Sequence, residues 1–283
     1  MNVRYIARLL LACTLLAPIA PVGAADEVGL RALRVCQDPN NLPFSNEAGE
    51  GLENRIAQIL ARKMALPLET YWYPQRINVM RNTLRYKLPG DAEYRCDLLT
   101  GVPAESGATA NTTPYYRSTY VLVYVKGRGL DVQSADAFLA LDKAVLKKLR
   151  IGVYDRSPAV RWLNKHGLID SAIPFRMLNP DPHHYPGAMI DNELIDGKID
   201  VALAWGPVGG YSARRAQGVE LAVLPLHSEP GVPFDFAIAM GMRHGEPDWR
   251  KRVQSALDES REEIGAVLRE FGVPLVDENG RPL

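Results

Sequence analysis

Residues 96–125 read CDLLTGVPAESGATANTTPYYRSTYVLVYV, a stretch in which two apolar segments flank a polar loop. The first segment predicts a strand at 98–101 that runs into a Gly-Val-Pro turn. The second, at 120–125, consists of β-branched and aromatic residues and predicts another strand. A glycine-containing loop and the aromatic corner at 113–117 lie between them. We therefore predict that this stretch crosses between two lobes and that its loop and corner line the cleft.

The segments around this stretch alternate between strand and helix patterns. Upstream strands are predicted at 33–36, 68–73 and 98–101, with helices at 52–65 and 76–86. Downstream strands are predicted at 149–154, 173–178, 199–204, 221–224 and 234–240, with helices at 135–148, 188–196 and 247–271 and others after Ser157 and Trp205. Such alternation is typical of an α/β fold class with parallel sheets and right-handed crossovers. The returning strand and helix predict a discontinuous lobe 1, residues 26–121 and 229–283, around lobe 2, residues 122–228. We expect the lobes to hinge near Tyr120 and Leu226, where the chain crosses.

Composition excludes one class of partner. The chain has 283 residues, of which 47% are hydrophobic and 23% are charged, an ordinary balance for a globular protein. Lysine plus arginine and aspartate plus glutamate number 33 each, so there is no basic surplus to attract nucleic acid or an anionic membrane.

Residues 1–25 predict a signal peptide. Two arginines precede an apolar run at 9–20, which is too short to span a bilayer, and small residues follow at 23–25. We expect cleavage near Ala24 or Ala25 and an exported mature protein without a membrane span. The alternative is a lipoprotein anchored at Cys13, but the apolar run continues past that cysteine.

Two cysteines remain after such cleavage, Cys36 and Cys96. An even pair in an oxidising compartment favours a disulfide, worth about 4 kcal/mol for a loop of this length in the chain-entropy model. Parallel neighbouring strands would place the two cysteines at opposite strand ends, which disfavours a bridge. We predict the disulfide, with two separate thiols as the alternative.

The candidate site follows from a rule for open parallel sheets, whose ligands bind outside the carboxyl ends of the strands. The loops at those ends and the aromatic corner contain Asp38, Asn40, Phe44, Tyr73, Arg76, Pro103, Thr113, Tyr115, Tyr116, Arg117, Arg156, Ser157, Trp205, Gly206 and Tyr211. Together they predict a cleft lined by aromatic side chains with few charges, as is usual for small ligands. The alternative for each residue is an ordinary turn or cap. Arg117 and Arg156 are candidates to clamp a carboxylate or, equally, to form ion pairs.

Signatures of catalysis are missing. The chain has no G-x-S-x-G elbow, no P-loop, no G-x-G-x-x-G and no H-E-x-x-H. His183 and His184 are adjacent and would point apart in an extended loop, so we predict no metal site. Asp38 and Asp97 stand at strand ends, where a carboxylate usually caps backbone amides. We predict no catalytic residue.

Six segments carry a family resemblance. They are LRVCQDPNNLPFSN, GEGLENRIAQILA, QRINVMRNTL, CDLLTGVP, TTPYYRSTYVLVY and DVALAWGPVGGY. In this order they resemble periplasmic solute-binding proteins of family 3, and in particular the quinoprotein-dehydrogenase-associated, J-type proteins of methanol dehydrogenase systems. The resemblance implies a two-lobed periplasmic binding protein fold, with each lobe a mostly parallel sheet flanked by helices and two crossing strands between the lobes.

The resemblance also implies a function. It points to a monomeric, non-enzymatic periplasmic accessory protein of a methanol or other alcohol dehydrogenase that depends on pyrroloquinoline quinone (PQQ), including lanthanide-dependent types. Such a protein would hold no resident cofactor and would bind the dehydrogenase, a maturation intermediate, or a ligand such as PQQ in the cleft. Two alternatives are the binding component of a transporter for a small polar solute and a dehydratase-like enzyme on the same fold.

Overall fold

The computed structural model describes residues 32–74, 78–177, 181 and 183–283. The first part of this chain contains β1 (Leu33–Gln37), β2 (Asn40–Asn41), β3 (Ser45–Asn46), α1 (Leu52–Met64), β4 (Leu68–Trp72), α2 (Val79–Asn82), β5 (Leu98–Pro103), β6 (Ala110–Asn111) and β7 (Tyr116–Val125). The middle contains α3 (Ala135–Leu139), α4 (Lys143–Leu146), β8 (Ile151–Tyr154), α5 (Pro158–Lys165), a 3₁₀ turn (Ile169–Ser171), β9 (Ala172–Phe175), a π-helix (Met189–Leu194) and β10 (Val201–Trp205). The last part contains α6 (Gly206–Arg215), β11 (Leu221–Pro225), β12 (Asp235–Met242), α7 (Pro247–Glu259) and α8 (Arg261–Glu270).

The main sheet has the strand order β4-β1-β5-β12-β7-β10-β8-β9. Its outer pairs are parallel, as predicted, and include β1 with β4 and β5 on one side and β8 with β9 and β10 on the other. The central pairs are antiparallel, because β12 returns between β5 and β7 and because β7 runs against β10. The sheet is therefore mixed at its centre and parallel towards both ends.

Strand β7 is the part of the predicted crossing stretch that joins the two ends of the sheet. Its residues 116–119 pair with β12, whereas residues 121–125 pair with β11. The strand begins four residues earlier than predicted, at Tyr116, because the aromatic corner already pairs with β12. The second predicted crossing point lies beside the first, since the amide of Leu226 donates to the carbonyl of Tyr120 at 2.8 Å. The lobe boundaries and the hinge stay predictions.

The alternation of side chains along β7 supplies two cores. Leu122 and Tyr124 face a cluster that includes Phe138 and Trp162. Val121, Val123 and Val125 face the opposite cluster, which includes Met189 and Ile190 of the π-helix. Because successive side chains of a strand point to opposite faces, the apolar half of this strand, residues 121–125, is buried on both sides.

The predicted disulfide is confirmed. Cys36 in β1 is bonded to Cys96, and their Cα atoms lie 5.6 Å apart. The register pairs Cys36 with Leu99, but the chain before β5 is bent rather than extended, which brings Cys96 back to β1. The sequence had suggested that the two cysteines would lie at opposite ends of neighbouring parallel strands, too far apart for a bridge. This distance does not arise, because Cys96 lies before β5 and not within it.

Several predicted helices are shorter or interrupted. Helix 247–271 is two helices, α7 and α8, divided at Ser260, and helix 135–148 is likewise divided into α3 and α4. Asp142 caps α4 by accepting a hydrogen bond from the amide of Ala144. A new helix therefore starts inside the segment that the apolar pattern had predicted as one continuous helix. Helix 76–86 contains only α2 among its described residues. None of the helices within the described ranges is long and apolar enough to cross a membrane.

Candidate functional site

A cavity of about 430 Å³ opens where β5, β7, β10 and β12 meet the loop after β1. Six of the predicted site residues line it: Asp38, Asn40, Phe44, Pro103, Tyr116 and Trp205. Eight do not line it: Tyr73, Thr113, Tyr115, Arg117, Arg156, Ser157, Gly206 and Tyr211. Arg76 lies outside the described residues. Loops from both ends of the sheet thus contribute to one cavity, as the rule for strand ends anticipates.

The loop after β1 is ordered by a compact set of polar contacts. The Ser45 hydroxyl donates to the Asp38 carbonyl at 2.8 Å, and Asp38 Oδ1 accepts from the amide of Asn40 at 2.9 Å. Strands β2 and β3 close this loop as a small hairpin, and Phe44 lies between them. The loop after β1 is therefore an ordered part of the cavity wall.

A group of aromatic rings forms another part of the cavity wall. Tyr120 lies 5.4 Å from Trp205 and 6.3 Å from Phe236 between ring centroids, and Trp205 lies 5.9 Å from Phe236. Burial raises the pKa of Tyr120 to about 12, so this phenol stays neutral at ordinary pH. Phe236 is absent from the predicted site. The period-2 pattern of β12 could have found it, because Phe236 and Ile238 share the face that lines the cavity.

Glu53, in the first turn of α1, is the main site residue that was not predicted. It lines the cavity and is only 2% exposed. Its Oε1 accepts a 2.6 Å hydrogen bond from the Tyr115 hydroxyl, while Oε2 is buried without a hydrogen-bond partner among the described residues. Burial raises the pKa of Glu53 to about 7, and the bond from Tyr115 opposes that shift.

Glu53 is difficult to predict as a site residue from the sequence. Acidic residues are common in the first turn of a helix, where they interact favourably with the helix dipole, and this ordinary role explains a glutamate at this position. Tyr115 itself lies behind the cavity lining. Its hydroxyl accepts from the amide of Gly101 at 3.2 Å, and burial, together with the charge of Glu53, raises its pKa well above the usual value. Tyr115 therefore acts on the cavity through Glu53.

The two arginines of the candidate site lie elsewhere. Arg117 forms an ion pair with Asp235 at 2.6 Å, which matches the alternative of an ion pair. Arg156 is exposed and outside the cavity lining. Neither guanidinium is placed to hold a carboxylate in the cavity.

The remaining predicted residues take structural contacts. The Tyr73 hydroxyl accepts from Asn82 Nδ2 at 2.6 Å, and the amide of Thr113 donates to Gln254 Oε1 at 2.8 Å. Ser157 precedes α5, but its hydroxyl donates to the carbonyl of Tyr154 and does not cap the helix. The ring of Tyr211 stacks on Phe271 with centroids 5.6 Å apart.

Gly206 is a packing position. A Cβ at this residue would lie 2.2 Å from the carbonyl oxygen of Thr119, so α6 approaches β7 too closely for a side chain. The glycine lets the first turn of α6 follow directly on Trp205, which carries the aromatic wall.

Of the two adjacent histidines, His184 lines the cavity and His183 is exposed. Within the part of the chain that the structure describes, no group of three or more histidine, cysteine, aspartate or glutamate side chains is arranged to hold a metal ion. Asp97, predicted to cap amides, accepts from Arg34 Nε at 2.7 Å and Arg243 Nη2 at 2.6 Å instead.

Comparison with known proteins finds no matching family model. The chain is 36% identical to the periplasmic binding protein XoxJ from Methylobacterium extorquens AM1, covering 87% of this chain and 100% of that one, with a TM-score of 0.68. It is 26% identical to MxaJ from Methlophaga aminisulfidivorans MPT, covering 87% and 100%, with a TM-score of 0.71. It is 28% identical over 262 residues to Protein MoxJ of Methylorubrum extorquens, covering 86% of this chain and 81% of the relative. The predicted periplasmic binding protein fold is confirmed.

Proposed function

The chain belongs to the J-type periplasmic binding proteins, the family of XoxJ, MxaJ and MoxJ, and from this premise we propose that it is a periplasmic accessory protein of a PQQ-dependent alcohol dehydrogenase. It acts by binding, and the dehydrogenase or a maturation intermediate of it is the partner. The observation that carries the proposal is the 36% identity over the whole of the solved XoxJ chain, together with the six motifs that resemble dehydrogenase-associated proteins.

The charge of the cavity supports a protein partner over the transport of an amino acid. A free amino acid presents a carboxylate, which a binding site normally meets with arginine or lysine. The described residues that line the cavity include the carboxyl groups of Asp38 and Glu53 but no lysine or arginine. Arg117 is engaged by Asp235, outside the lining. PQQ is a tricarboxylic acid and meets the same obstacle.

The enzyme alternative has less support. A dehydratase would need an acid or base beside its substrate, and Arg117, one of the predicted site residues, lies outside the cavity lining. Asp38 does line the cavity, but its Oδ1 already caps the amide of Asn40.

Residues 1–25, which carry the predicted export signal, lie outside the described residues.

The test is capture from the periplasm of the source organism. The full-length chain, expressed with a C-terminal tag under its own signal, should retain the alcohol dehydrogenase, and the tagged dehydrogenase should retain this chain in the reciprocal experiment. A tagged periplasmic binding protein of an unrelated transporter serves as the control for non-specific capture.

A deletion strain completes the test. Loss of the gene should lower PQQ-dependent alcohol oxidation, and the gene on a plasmid should restore it. Absence of the dehydrogenase from both captures, with unchanged alcohol oxidation in the deletion strain, would overturn the proposal.

A further inference from the structure

We infer that the loop at 86–95 is the surface by which this chain docks on its dehydrogenase partner, with the turn at the tip of the loop seated in an apolar recess of that partner. The inference rests on the proposed function and names a surface for it. Three features of the loop carry it: exposed apolar side chains, a backbone held in one conformation, and a tip carboxylate that has no ion pair among the described residues.

The loop exposes apolar side chains. Tyr86 and Leu88 are each 36% exposed, and Pro89 beside them is exposed as well. Among the described residues, two of the seven large hydrophobic side chains that are exposed belong to this one loop. Apolar surface that is grouped rather than scattered marks sites of interaction with other molecules.

Both ends of the loop are held by one side chain. Arg243 Nη1 donates to the carbonyl of Leu84 at 3.0 Å and to the carbonyl of Cys96 at 2.7 Å, just outside the loop on either side. Its guanidinium also lies 4.1 Å from the ring centroid of Tyr94, within the loop. Cys96 is in turn bonded to Cys36 of β1. The base of the loop is therefore anchored on β1 and on the segment after β12.

Contacts inside the loop fix its shape. The amide of Arg95 donates to the carbonyl of Tyr86 at 3.0 Å and closes the base. Lys87 Nζ donates to the carbonyl of Ala92 at 2.5 Å and lies 4.3 Å from the ring centroid of Tyr94. The two strands of the loop are thus joined to each other below the tip.

The tip itself is a type II turn. The amide of Asp91 donates to the carbonyl of Leu88 at 3.0 Å, across Pro89 and Gly90. Gly90 has a φ of +91°, as this turn requires at its third position, and glycine adopts that value without strain. Proline fixes φ at the second position, which lowers the entropy that binding would cost. The apolar tip is therefore presented in one conformation before a partner arrives.

Charge at the tip distinguishes among partners. Asp91 is exposed and, in the part of the chain that the structure describes, has no ion pair, while Lys87 is turned back onto the loop. Glu93 pairs with Arg34, but its side chain stays 74% exposed. Exposed carboxylates are repelled by anionic lipids and by nucleic acid phosphates. The fitting partner is a protein whose apolar recess has a lysine or arginine at its rim.

Substitution of the tip tests the assignment. The dehydrogenase, purified from the periplasm of the source organism, is titrated against the immobilised mature protein and its variants. Leu88→Ser should weaken binding by about tenfold or more, as truncation of a central interface residue does. Val145→Ser is the matched control, because it removes an apolar side chain that is 48% exposed on α4, and it should leave the affinity unchanged.

Two glycine variants test the conformation of the tip. Gly90→Ala and Gly127→Ala both place alanine at a positive φ, +91° and +80°, and no atom lies within 4 Å of either Cβ position. The backbone strain is therefore similar, but only the first residue belongs to the loop. Gly90→Ala should weaken binding by about threefold or more, because the tip leaves its turn geometry, whereas Gly127→Ala should bind like the parent protein. Circular dichroism verifies that both variants fold.

Hydrogen exchange of the complex supplies a readout that needs no variant. Bound dehydrogenase should slow the exchange of amides at 87–93. If the parent protein binds the dehydrogenase while Leu88→Ser and Gly90→Ala bind equally well and these amides stay unprotected, the docking assignment alone is wrong. If the parent protein neither binds nor captures the dehydrogenase, the accessory role is wrong and the docking assignment falls with it.

Discussion

The hydroxyl of Tyr115 donates a 2.6 Å hydrogen bond to Glu53, across 62 positions of the chain. The bond ties the corner that leads into β7 to the first turn of α1. Because the same hydroxyl accepts from the amide of Gly101, it also holds the end of β5. Three segments that line or support the cavity therefore meet at one phenol.

Removal of that phenol should affect both stability and titration. Tyr115→Phe removes the donor to Glu53 Oε1, so that neither carboxyl oxygen has a hydrogen-bond partner, and we expect a loss of about 1–3 kcal/mol in the free energy of unfolding. The pKa of Glu53 should rise further, because the hydrogen bond from Tyr115 now opposes the effect of burial. Denaturant unfolding measures the first effect. Tyr94→Phe is the control, since the ring that packs against Arg243 is retained. Equal stability of the two variants would contradict the prediction.

The raised pKa of Glu53 predicts a pH dependence of stability. The folded protein has a pKa of about 7 for this group against an ordinary value of 4.5, so the folded state binds more protons between these values. The free energy of unfolding should therefore fall as pH rises through this window, by about 3 kcal/mol in total from this group. Tyr115 and Tyr116, which face Glu53, stay neutral there because burial raises the pKa of both phenols.

Glu53→Gln should remove this component. The difference in unfolding free energy between the parent protein and the variant should shrink or reverse between about pH 4 and about pH 8. All other titrating groups cancel in the difference, and Glu50→Gln should reproduce the parent curve. A difference that stays constant with pH would show that Glu53 has the same pKa in the folded and unfolded states.

The disulfide should contribute strongly to stability. Reduction of the bond between Cys36 and Cys96, which are 60 positions apart, should lower the free energy of unfolding by about 4 kcal/mol, because the unfolded chain regains the entropy of an open loop. Guanidinium unfolding with and without a reductant measures the change. The double variant Cys36→Ala/Cys96→Ala should be insensitive to reductant, and a parent protein that is equally insensitive would contradict the prediction.

Asp97 should be required for packing between β1 and the segment after β12. Its carboxylate is 5% exposed and receives both Arg34 and Arg243. Asp97→Asn would remove the carboxylate that Arg34 and Arg243 share. Because Arg34 still pairs with Glu93 and Arg243 with Glu246, the cost should be about 1–3 kcal/mol. Asp258→Asn, at an exposed pair with Arg261, is the control and should change stability little, as is usual for surface ion pairs. Thermal unfolding of both variants distinguishes the two environments.

Gly206 should not tolerate a methyl group. Gly206→Ala would place Cβ 2.2 Å from the carbonyl oxygen of Thr119 and force α6 away from β7, at a cost of about 1–3 kcal/mol. Gly107→Ala is a matched control, because no atom lies within 4 Å of the Cβ position there. The tryptophan emission of the protein should shift in the first variant alone, because Trp205 directly precedes the altered residue. Unchanged stability of Gly206→Ala would mean that α6 moves freely.

The succession of strands and helices along the chain could be predicted well. The alternation of strands and helices follows from side-chain periods of about 2 and 3.6, which each segment carries by itself. The prediction of the crossing stretch rests on apolar runs and an aromatic corner that are contiguous in the chain, and the structure confirms the two strands within it, β5 and β7. Interruptions such as Ser260 were missed, because the apolar period continues across the break between α7 and α8.

From the sequence alone one can predict the α/β order, the cysteine pair and six of the residues that line the cavity, including Asp38, Phe44 and Trp205. The position of Glu53 in the cavity wall, the ion pair of Arg117 with Asp235 and the place of Tyr115 behind the lining became known from the folded structure. A strand or helix pattern indicates only which side of a segment is apolar. Which distant segment meets that side depends on packing, and the partners of a buried charge are chosen there.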